Sequence, residues 1–303
     1  MSTNDITVGF VGLGHMGGPM AANLAKAGYI VQGFDLVPAA LEQARRDGIT
    51  VVESATLAAT DADVVITMLP SGKHVLDLYE GGLLTAARQG TLFVDSSTID
   101  VADARSAHEL VEQAGHRGVD APVSGGVMGA AAGTLAFMVG GDAEDFEAAR
   151  PLLEVMGRKV VHCGGPGVGQ AAKICNNMIL GVSMIAISEA FVLGEKLGLS
   201  NQALFDVASN ASGQCWALTT NCPVPGPVPA SPANNDYQPG FAAALMDKDL
   251  GLAANALRAN GIDAELGMRA AELYRRFHET GHGGEDFSAI IRDIRDRSNG
   301  ETR

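Results

Sequence analysis

The stretch Ile6–Gly17, which reads ITVGFVGLGHMG, decides the fold of this chain. Its first six residues are mostly β-branched or aromatic, and they predict a strand that ends at a glycine-rich turn. Gly12, Gly14 and Gly17 then match the pattern G-x-G-x-x-G, and Met16–Ala27 predicts a helix. Glycine is abundant here, so the match alone is weak. The strand before it and the helix after it make it specific for a dinucleotide-binding loop.

Each glycine of this turn has a predicted role in holding a dinucleotide. Gly12 permits the tight turn, Gly14 lets the backbone approach the pyrophosphate, and Gly17 lets the helix pack closely on the strand. The helix N-terminus offers unpaired N–H groups and a positive dipole end to the phosphates. The other residues of the predicted cofactor loop are Leu13, His15 and Met16. An ordinary strand–helix turn is the alternative interpretation.

Asp35 ends the second predicted strand, Ile30–Asp35, about twenty residues after the glycines. A carboxylate at this position accepts hydrogen bonds from the ribose hydroxyls of adenosine, whereas a 2′-phosphate would meet like charge. No arginine follows Asp35 until Arg45. We therefore predict NAD, and not NADP, as the cofactor.

The first half of the chain alternates short apolar runs with amphipathic ones, which is the pattern of βαβ units and a parallel sheet. A further helix is predicted to begin at Pro38, because proline fits the first helical turn. Further strands are predicted at Asp63–Leu69, Thr91–Asp95, Val119–Val123 and Leu135–Val139. We predict an α/β fold with a doubly wound, Rossmann-type parallel sheet over residues 1–165.

The sequence pattern changes at the glycine–proline cluster Gly164–Gly167, which predicts a hinge between the two halves. Ala171–Leu197 predicts one long helix, apolar almost all round, and this implies burial on several sides. The remainder has helical periodicity except for the loop Pro223–Pro239, whose length is typical of a functional loop. We predict an all-α domain over residues 166–303, an active site in the cleft between the domains, and a homodimer or homotetramer.

Composition excludes several classes of function. The chain has 303 residues, 47% of them hydrophobic and 18% charged, and can therefore bury a sizeable core. Its net charge of −14 argues against a nucleic-acid partner, which requires a basic face. Its four cysteines form no Cys-x-x-Cys pair, and its histidines show no metal-ligand spacing. We expect reduced thiols and no metal.

Two segments bear on localisation. Met1–Asp5 has no basic or arginine-rich character, so neither a secretory signal nor a transit peptide is predicted. The longest apolar run, Met178–Ser188, is too short to span a bilayer. We expect a cytoplasmic protein without a membrane partner.

Three further turns follow predicted strands and are candidates for ligand contacts. Ser124, Gly125 and Gly126 offer a hydroxyl and backbone N–H groups that can converge on a small anion such as a carboxylate. Met68-Leu69-Pro70 and Ser96-Ser97-Thr98 fall where ligands of doubly wound sheets bind. Plain turn chemistry is the alternative for all three.

Lys173 is the most suggestive single residue for chemistry. It lies near the start of the long helix, and Asn177 follows four residues later, so both side chains project from one helix face. A lysine in a desolvated cleft has a lowered pKa, because burial disfavours its charged form. It can then exchange a proton with an alcohol or a carbonyl. The alternative is a lysine that extends to solvent.

Four motifs, in order and at compatible spacing, resemble the β-hydroxyacid dehydrogenase family over essentially the whole chain. They are GLGHMGGPMAANL, DAPVSGGVMGAAAGTL, GVGQAAKICNNM and LMDKDLGLA. The resemblance implies NAD-dependent oxidation of a short 3-hydroxy carboxylic acid. It implies Lys173 as the acid–base residue, Asn177 as a substrate ligand, and a carboxylate-binding loop at Ser124, Gly125 and Gly126. The cofactor-side residues that it implies are Leu69, Pro70, Thr98 and Lys248.

A narrower likeness within the family rests on the long loop and its flanks, and it implies 3-hydroxyisobutyrate, an intermediate of valine degradation, as substrate. Trp216 and Phe241 are predicted to form an apolar wall for the methyl group beside the reacting carbon, with core or lid aromatics as the alternative. His15 departs from the asparagine that these enzymes commonly carry. A dehydrogenase for tartronate or succinic semialdehyde, or a catalytically silent NAD-binding module, remains open.

Overall fold

The computed structural model describes residues 6–300 and contains two compact units, which divide between Lys173 and Ile174. The segment Met1–Asp5, on which the prediction of no targeting sequence rested, lies outside the described residues. The first unit has apolar core clusters on a β-sheet, and the second has its own core among helices.

The first unit is built on one sheet. Within residues 6–300 its strands are β1 (Thr7–Val11), β2 (Ile30–Phe34), β3 (Thr50–Val51), β4 (Val64–Thr67), β5 (Leu92–Asp95), β6 (Arg117–Asp120), β7 (Val123–Ser124), β8 (Leu135–Gly140) and β9 (Gly157–Gly164). Six of them pair in parallel in the order β3-β2-β1-β4-β5-β6. This is the order of doubly wound dinucleotide-binding sheets, and it confirms the predicted fold class.

Helices cover both faces of this sheet. They are α1 (Gly17–Lys26), α2 (Pro38–Arg46), α3 (Ala55–Ala59), α4 (Gly72–Leu78), α5 (Leu84–Ala86), α6 (Val101–Gln113), α7 (Gly126–Ala132) and α8 (Ala143–Met156), with α4 joined to α5 through a distorted turn at Tyr79–Leu83. Val65 and Phe93 pack in one core cluster, whereas the next residues along the strands, Ile66 and Val94, pack in another. Successive side chains point to opposite faces, so both faces are buried, as parallel sheets require.

The far edge of the sheet differs from the prediction. Val119–Val123 is not one strand, because Ala121 and Pro122 separate β6 from β7, and both strands pair antiparallel with β8. Proline cannot donate a ladder hydrogen bond, which explains the break. The edge strand β9 was not predicted at all. Most of its residues are exposed or half-buried, so it lacks the apolar run that identifies an interior strand.

The second unit is helical, as predicted. The long helix α9 (Val168–Lys196) begins in the first unit and continues into the second, and it is followed by α10 (Asn201–Ala208), α11 (Trp216–Thr219), α12 (Ala243–Ala259), α13 (Glu265–Phe277) and α14 (Ile290–Ser298). Short helical turns lie at Pro232–Asn235, His278–His282 and Phe287–Ala289. The core of this unit includes the fully buried Met246, Tyr274, Phe277 and Ile291.

The helix α9 is long and apolar enough, by length and composition alone, to cross a membrane. The prediction from Met178–Ser188 considered only a shorter part of it. The core helix of a soluble protein has the same length and composition. Moreover, α9 carries buried polar side chains at Gln170, Lys173 and Asn177, which would be costly in a bilayer. We interpret α9 as a core helix.

Candidate active site

The glycine-rich loop between β1 and α1 has the backbone geometry that its sequence predicts. Gly12 has a φ of 95°, and a Cβ there would overlap the carbonyl oxygen of Met68. A Cβ at Gly17 would overlap the carbonyl oxygen of Gly12. A Cβ at Gly14 would meet nothing within 4 Å. The fold therefore requires Gly12 and Gly17, whereas Gly14 borders open space.

Asp35 lies directly after β2, beside this loop. Its Oδ2 accepts a hydrogen bond from Leu13 N at 2.7 Å, and its Oδ1 accepts one from Val37 N at 2.7 Å. Each oxygen retains a further lone pair that can accept from a ribose hydroxyl. Leu13 is buried, His15 is exposed and Met16 is half-buried. The loop and Asp35 thus fit the adenosine end of NAD.

The ends of β4 and β5 carry two predicted cofactor loops, and the Ser97 hydroxyl joins them. It accepts a hydrogen bond from Leu69 N at 2.8 Å and donates one to Asp95 Oδ1 at 2.6 Å. The same oxygen of Asp95 accepts from Thr67 Oγ1 at 2.7 Å. The candidate nicotinamide-side residues on these loops are Leu69, Pro70 and Thr98. Both loops lie at the carboxyl edge of adjacent parallel strands, where ligands of such sheets bind.

Asp95 was not identified from the sequence. It is fully buried, and burial raises its pKa to about 6, although hydrogen bonds from Ser97 and Thr67 act in the opposite direction. Its Oδ2 has no hydrogen-bond partner among the described residues. Together with Tyr79, His108 and Asp120 it lines a cavity of about 20 Å³, the size that holds one water molecule.

The candidate carboxylate loop follows β7. Ser124 is half-buried, and the two glycines after it both adopt left-handed backbone angles, with φ of 134° at Gly125 and 62° at Gly126. Two successive positive φ values favour glycine at both positions, because other residues would be strained there. Gly125 and Gly126 therefore allow the chain to turn from β7 into α7.

Lys173 and Asn177 are both buried on α9, with exposures of 5% and 2%. The alternative of a lysine that extends to solvent does not fit this burial. The amide of Asn177 is fixed on both sides, because its Nδ2 donates to Asp249 Oδ2 and its Oδ1 accepts from Asn176 Nδ2 at 2.9 Å. These two hydrogen bonds fix the orientation of the Asn177 amide.

Lys248 and Asp249 lie on α12. Lys248 is half-buried, whereas Asp249 is 4% exposed and bonded to Asn177. The two acidic residues beside Lys248 therefore differ in environment, because Asp247 is only half-buried. Nothing in the sequence around Lys248 distinguishes Asp249 from Asp247.

The loop Pro223–Pro239 is anchored at both ends by one buried carboxylate, that of Asp286. Asp286 Oδ1 accepts from Asn221 Nδ2 at 3.0 Å, just before the loop. Its Oδ2 accepts from Gly240 N at 3.1 Å and from Phe241 N at 3.0 Å, just after the loop. Asp286 was not predicted as a site residue, because nothing near it in sequence indicates what it binds.

Further contacts fix the loop internally. Tyr237 Oη donates to the carbonyl oxygen of Pro223 at 2.7 Å, and the guanidinium of Arg292 lies 4.4 Å from the centre of the Tyr237 ring. Asp236 and Tyr237 both have positive φ, at 47° and 54°. Such strain persists only where surrounding contacts fix the backbone. The loop is therefore preorganised.

The two aromatic residues that flank this loop differ in environment. Trp216 begins α11 and is 52% exposed, so it is not a core residue. Phe241 is half-buried and packs edge-to-face on Phe287, with ring centres 5.7 Å apart. The exposed ring of Trp216 can therefore contact a ligand, whereas the ring of Phe241 packs partly against the core.

The strand order, the glycine loop and the carboxylate after β2 define a dinucleotide-binding domain, and comparison with known proteins gives the family. Residues 7–165 match the family model described as the NAD binding domain of 6-phosphogluconate dehydrogenase. Residues 167–294 match the model described as the NAD-binding domain of NADP-dependent 3-hydroxyisobutyrate dehydrogenase. The chain belongs to the β-hydroxyacid dehydrogenase family, and it is an NAD-dependent hydroxyacid dehydrogenase most like 3-hydroxyisobutyrate dehydrogenase.

Individual relatives cover almost the whole chain. A probable 3-hydroxyisobutyrate dehydrogenase of Mycobacterium tuberculosis is 59% identical over 96% of this chain and 99% of the relative. The NAD-dependent L-serine dehydrogenase of Pseudomonas aeruginosa is 48% identical over 93% of this chain and 96% of the relative. A solved structure of Mycobacterium tuberculosis 3-hydroxyisobutyrate dehydrogenase with L-serine has a TM-score of 0.93 and the same coverage of 96% and 99%.

Proposed function

We propose that this protein oxidises 3-hydroxyisobutyrate to methylmalonate semialdehyde with NAD, a step of valine degradation. The observation that carries the proposal is a buried lysine, Lys173, four residues before a buried and fixed asparagine, Asn177, on one helix. A silent NAD-binding module would have no use for this pair. The whole-length similarity to relatives named 3-hydroxyisobutyrate dehydrogenase supports the substrate.

The proposed chemistry is the removal of a proton and a hydride from one alcohol group. NAD, held by the glycine loop and Asp35, would supply the acceptor for the hydride that leaves the carbon carrying the hydroxyl group. Lys173 takes the hydroxyl proton on its Nζ as the carbon–hydrogen bond breaks, and the alcohol becomes an aldehyde. Asn177 orients the substrate through an amide that Asp249 and Asn176 hold in place.

The remaining residues are assigned to recognition. The Ser124 hydroxyl and the backbone of Gly125 and Gly126 hold the substrate carboxylate. Trp216 and Phe241 provide an apolar wall for the methyl group of 3-hydroxyisobutyrate. The residues proposed to contact the cofactor are Gly12, Leu13, Gly14, His15, Met16, Gly17, Asp35, Leu69, Pro70, Thr98 and Lys248.

L-Serine is the second candidate substrate, because one relative is an L-serine dehydrogenase and another was solved with L-serine. Serine is also a 3-hydroxy acid, but it carries an ammonium group where 3-hydroxyisobutyrate carries a methyl group. An apolar wall favours the methyl group, because an ammonium group loses hydration there without gaining an acceptor. Semialdehyde reductases for tartronate or succinic semialdehyde remain as further candidates within the family.

The substrate assignment is tested by initial rates of NADH formation with a panel of hydroxy acids. The panel contains (S)- and (R)-3-hydroxyisobutyrate, L-serine, D-glycerate, 4-hydroxybutyrate and 3-hydroxypropionate, with NADP in parallel reactions. We expect the highest kcat/KM for (S)-3-hydroxyisobutyrate with NAD. A higher kcat/KM for L-serine would overturn the apolar-wall argument and leave the family intact. Tight NADH binding without turnover of any member would favour the silent module.

We also propose functional domains at residues 1–165 and 166–303, a cytoplasmic location, and a homodimer or homotetramer. The two family models end at residue 165 and begin at residue 167, which supports the domain division. On α9, Ile179 is 66% exposed and Leu193 is 60% exposed in the single chain, which supports association. Light scattering on purified protein tests the oligomer, and a monomer at micromolar concentration would contradict it.

A further inference from the structure

We infer that Gln170 is a positioning residue that fixes the first turn of α9, and with it Lys173, against the loop that carries Thr98. This inference rests on the proposed role of Lys173 as the acid–base residue. Gln170 has no assigned contact with substrate or cofactor. It acts through the backbone groups on which the reacting residues depend.

The side chain of Gln170 forms hydrogen bonds with the backbone on both sides of Thr98. Gln170 is fully buried, its Nε2 donates to the carbonyl oxygen of Ser97 at 2.7 Å, and its Oε1 accepts from Ile99 N at 3.2 Å. These two backbone groups flank Thr98 on either side. The amide therefore pairs with the loop as a residue of a neighbouring strand would. An amide offers a donor and an acceptor together at any pH, whereas a carboxyl side chain of the same length does so only when it is protonated.

The backbone of Gln170 is held as firmly as its side chain. Gln170 N donates to Asp120 Oδ2 at 2.8 Å, and Gly167 N donates to Asp120 Oδ1 at 2.8 Å. Both N–H groups belong to the helix N-terminus, where no helical carbonyl is available to them. Asp120 is itself buried at the end of β6. A negative charge at this end also interacts favourably with the helix dipole.

The start of α9 has no room to shift towards the sheet. A Cβ at Gly169 would overlap the carbonyl oxygen of Met138, and a Cβ at Gly140 would overlap Asp120 Oδ1. Glycine at both positions allows the helix to approach this closely. Gln170 thus links the first turn of α9, to which it belongs, with the loop after β5 and with the carboxylate at the end of β6.

The consequence for chemistry follows from helix geometry. Lys173 lies three residues after Gln170, so the two side chains project from neighbouring positions on one face. The hydrogen bonds of Gln170 therefore set where Lys173 lies relative to the loop of Thr98. A displacement of about 1 Å in a reacting group can cost on the order of 100-fold in rate.

The first test is Gln170→Met, which keeps the length of the side chain and removes both hydrogen bonds. We expect kcat to fall about 10- to 100-fold. The KM for the hydroxy acid and the Kd for NADH should change less than about threefold, because Ser97 still ties its loop to Leu69 and Asp95. The isotope effect on kcat, measured with deuterium on the carbon that carries the hydroxyl group, should rise. A misplaced base makes the chemical step rate-limiting.

The matched control is Gln89→Met. Gln89 also donates to a backbone carbonyl, that of Gly115 at 2.7 Å, but it is exposed. We expect its kcat to stay within twofold of the parent protein. An equal fall in kcat for both variants would overturn the inference, because it would show a general effect of removing such a bond. An unchanged kcat in folded Gln170→Met would also overturn it.

Gln170→Glu is the second variant and remains decisive if Gln170→Met does not fold. A protonated glutamic acid can donate to the carbonyl oxygen of Ser97 and accept from Ile99 N, whereas an ionised one can only accept. The ratio of its kcat to that of the parent protein should therefore rise as the pH falls. A ratio that does not change with pH would contradict the positioning role.

Lys173→Ala separates this inference from the proposed function. If Lys173→Ala retains turnover, the proposed function fails and the positioning role of Gln170 fails with it. If Lys173→Ala is inactive and Gln170→Met is fully active, only the positioning role fails.

Discussion

Two loops of this protein are held in one conformation by different means. The loop Gly12–Gly17 is fixed by its own backbone, through the positive φ of Gly12 and close contacts that a Cβ would block. The loop Pro223–Pro239 is fixed by Asp286, whose carboxylate lies 46 residues beyond Gly240. The glycines that the first loop needs all lie within six positions, although the contact that excludes a Cβ at Gly12 is with Met68. The second depends on one distant polar group, so a single substitution there should release it.

The largest effect is expected for Asp286→Ala. It removes the acceptor from Asn221, Gly240 and Phe241, and it leaves the buried amide of Asn221 without this partner. We expect the free energy of unfolding to fall by about 3–5 kcal/mol. Urea denaturation measures the loss, and hydrogen exchange should show faster exchange in residues 221–241.

The matched control is Asp236→Ala, within the loop itself. Its side chain is 86% exposed, and within residues 6–300 it forms an ion pair only with Arg292. Exposed ion pairs contribute less than about 1 kcal/mol. If Asp236→Ala destabilises as much as Asp286→Ala, the anchoring role of Asp286 is wrong.

The glycine loop can be tested in the same way with two alanine substitutions. Gly12→Ala should destabilise the protein by about 2–4 kcal/mol, because it adds strain at a φ of 95° and an overlap with the Met68 carbonyl. Gly14→Ala should leave the free energy of unfolding within about 0.5 kcal/mol, since nothing lies within 4 Å.

Gly14→Ala should nonetheless weaken the binding of the cofactor. Gly14→Ala places a methyl group where the dinucleotide phosphate approaches, so its affinity for NADH should fall although the fold is intact. Fluorescence titration of NADH measures this. Equal NADH affinity in Gly14→Ala and the parent protein would remove Gly14 from the cofactor site.

A smaller, pH-dependent effect is expected at Asp95. Its pKa is raised by burial to about 6, above the value of about 3.9 in an unfolded chain. The folded state therefore binds this proton more tightly. The free energy of unfolding should fall as the pH rises from about 4 to about 6, and this contribution should be constant above that range.

Asp95→Asn isolates that contribution, because asparagine cannot ionise and keeps an acceptor for Ser97. The stability of Asp95→Asn relative to the parent protein should rise by about 3 kcal/mol over this pH window. The neighbouring groups Tyr79, His108 and Asp120 are common to both proteins. Urea denaturation at pH 4 and pH 7 measures the difference, and the same difference at both values would refute the prediction.

What the sequence could predict follows the same division between local and distant causes. The strand, glycine turn and helix at residues 6–27 were predicted because the residue types that form them are adjacent. Pro38 marked a helix start for the same reason. The edge strand β9 was missed because its partly exposed residues show no apolar run.

The supporting residues of the candidate site were missed for a related reason. Asp95, Asp120, Gln170 and Asp286 act through hydrogen bonds to residues 2 to 73 positions away. A carboxylate or an amide has no periodic signature in sequence, and its partners depend on the fold. Lys173 could be proposed from the sequence because an isolated charge on an apolar helix is itself a local signal.

The most direct test of the account is single-turnover oxidation by Lys173→Ala, with NADH affinity measured on the same preparation. We expect the rate of NADH formation from the preferred hydroxy acid to fall on the order of 10³-fold, since a general base typically contributes 10²- to 10⁴-fold. The Kd for NADH should stay within about twofold, which also shows that the protein is folded. Unchanged turnover with intact NADH binding would contradict the account, because the proton would then have another acceptor.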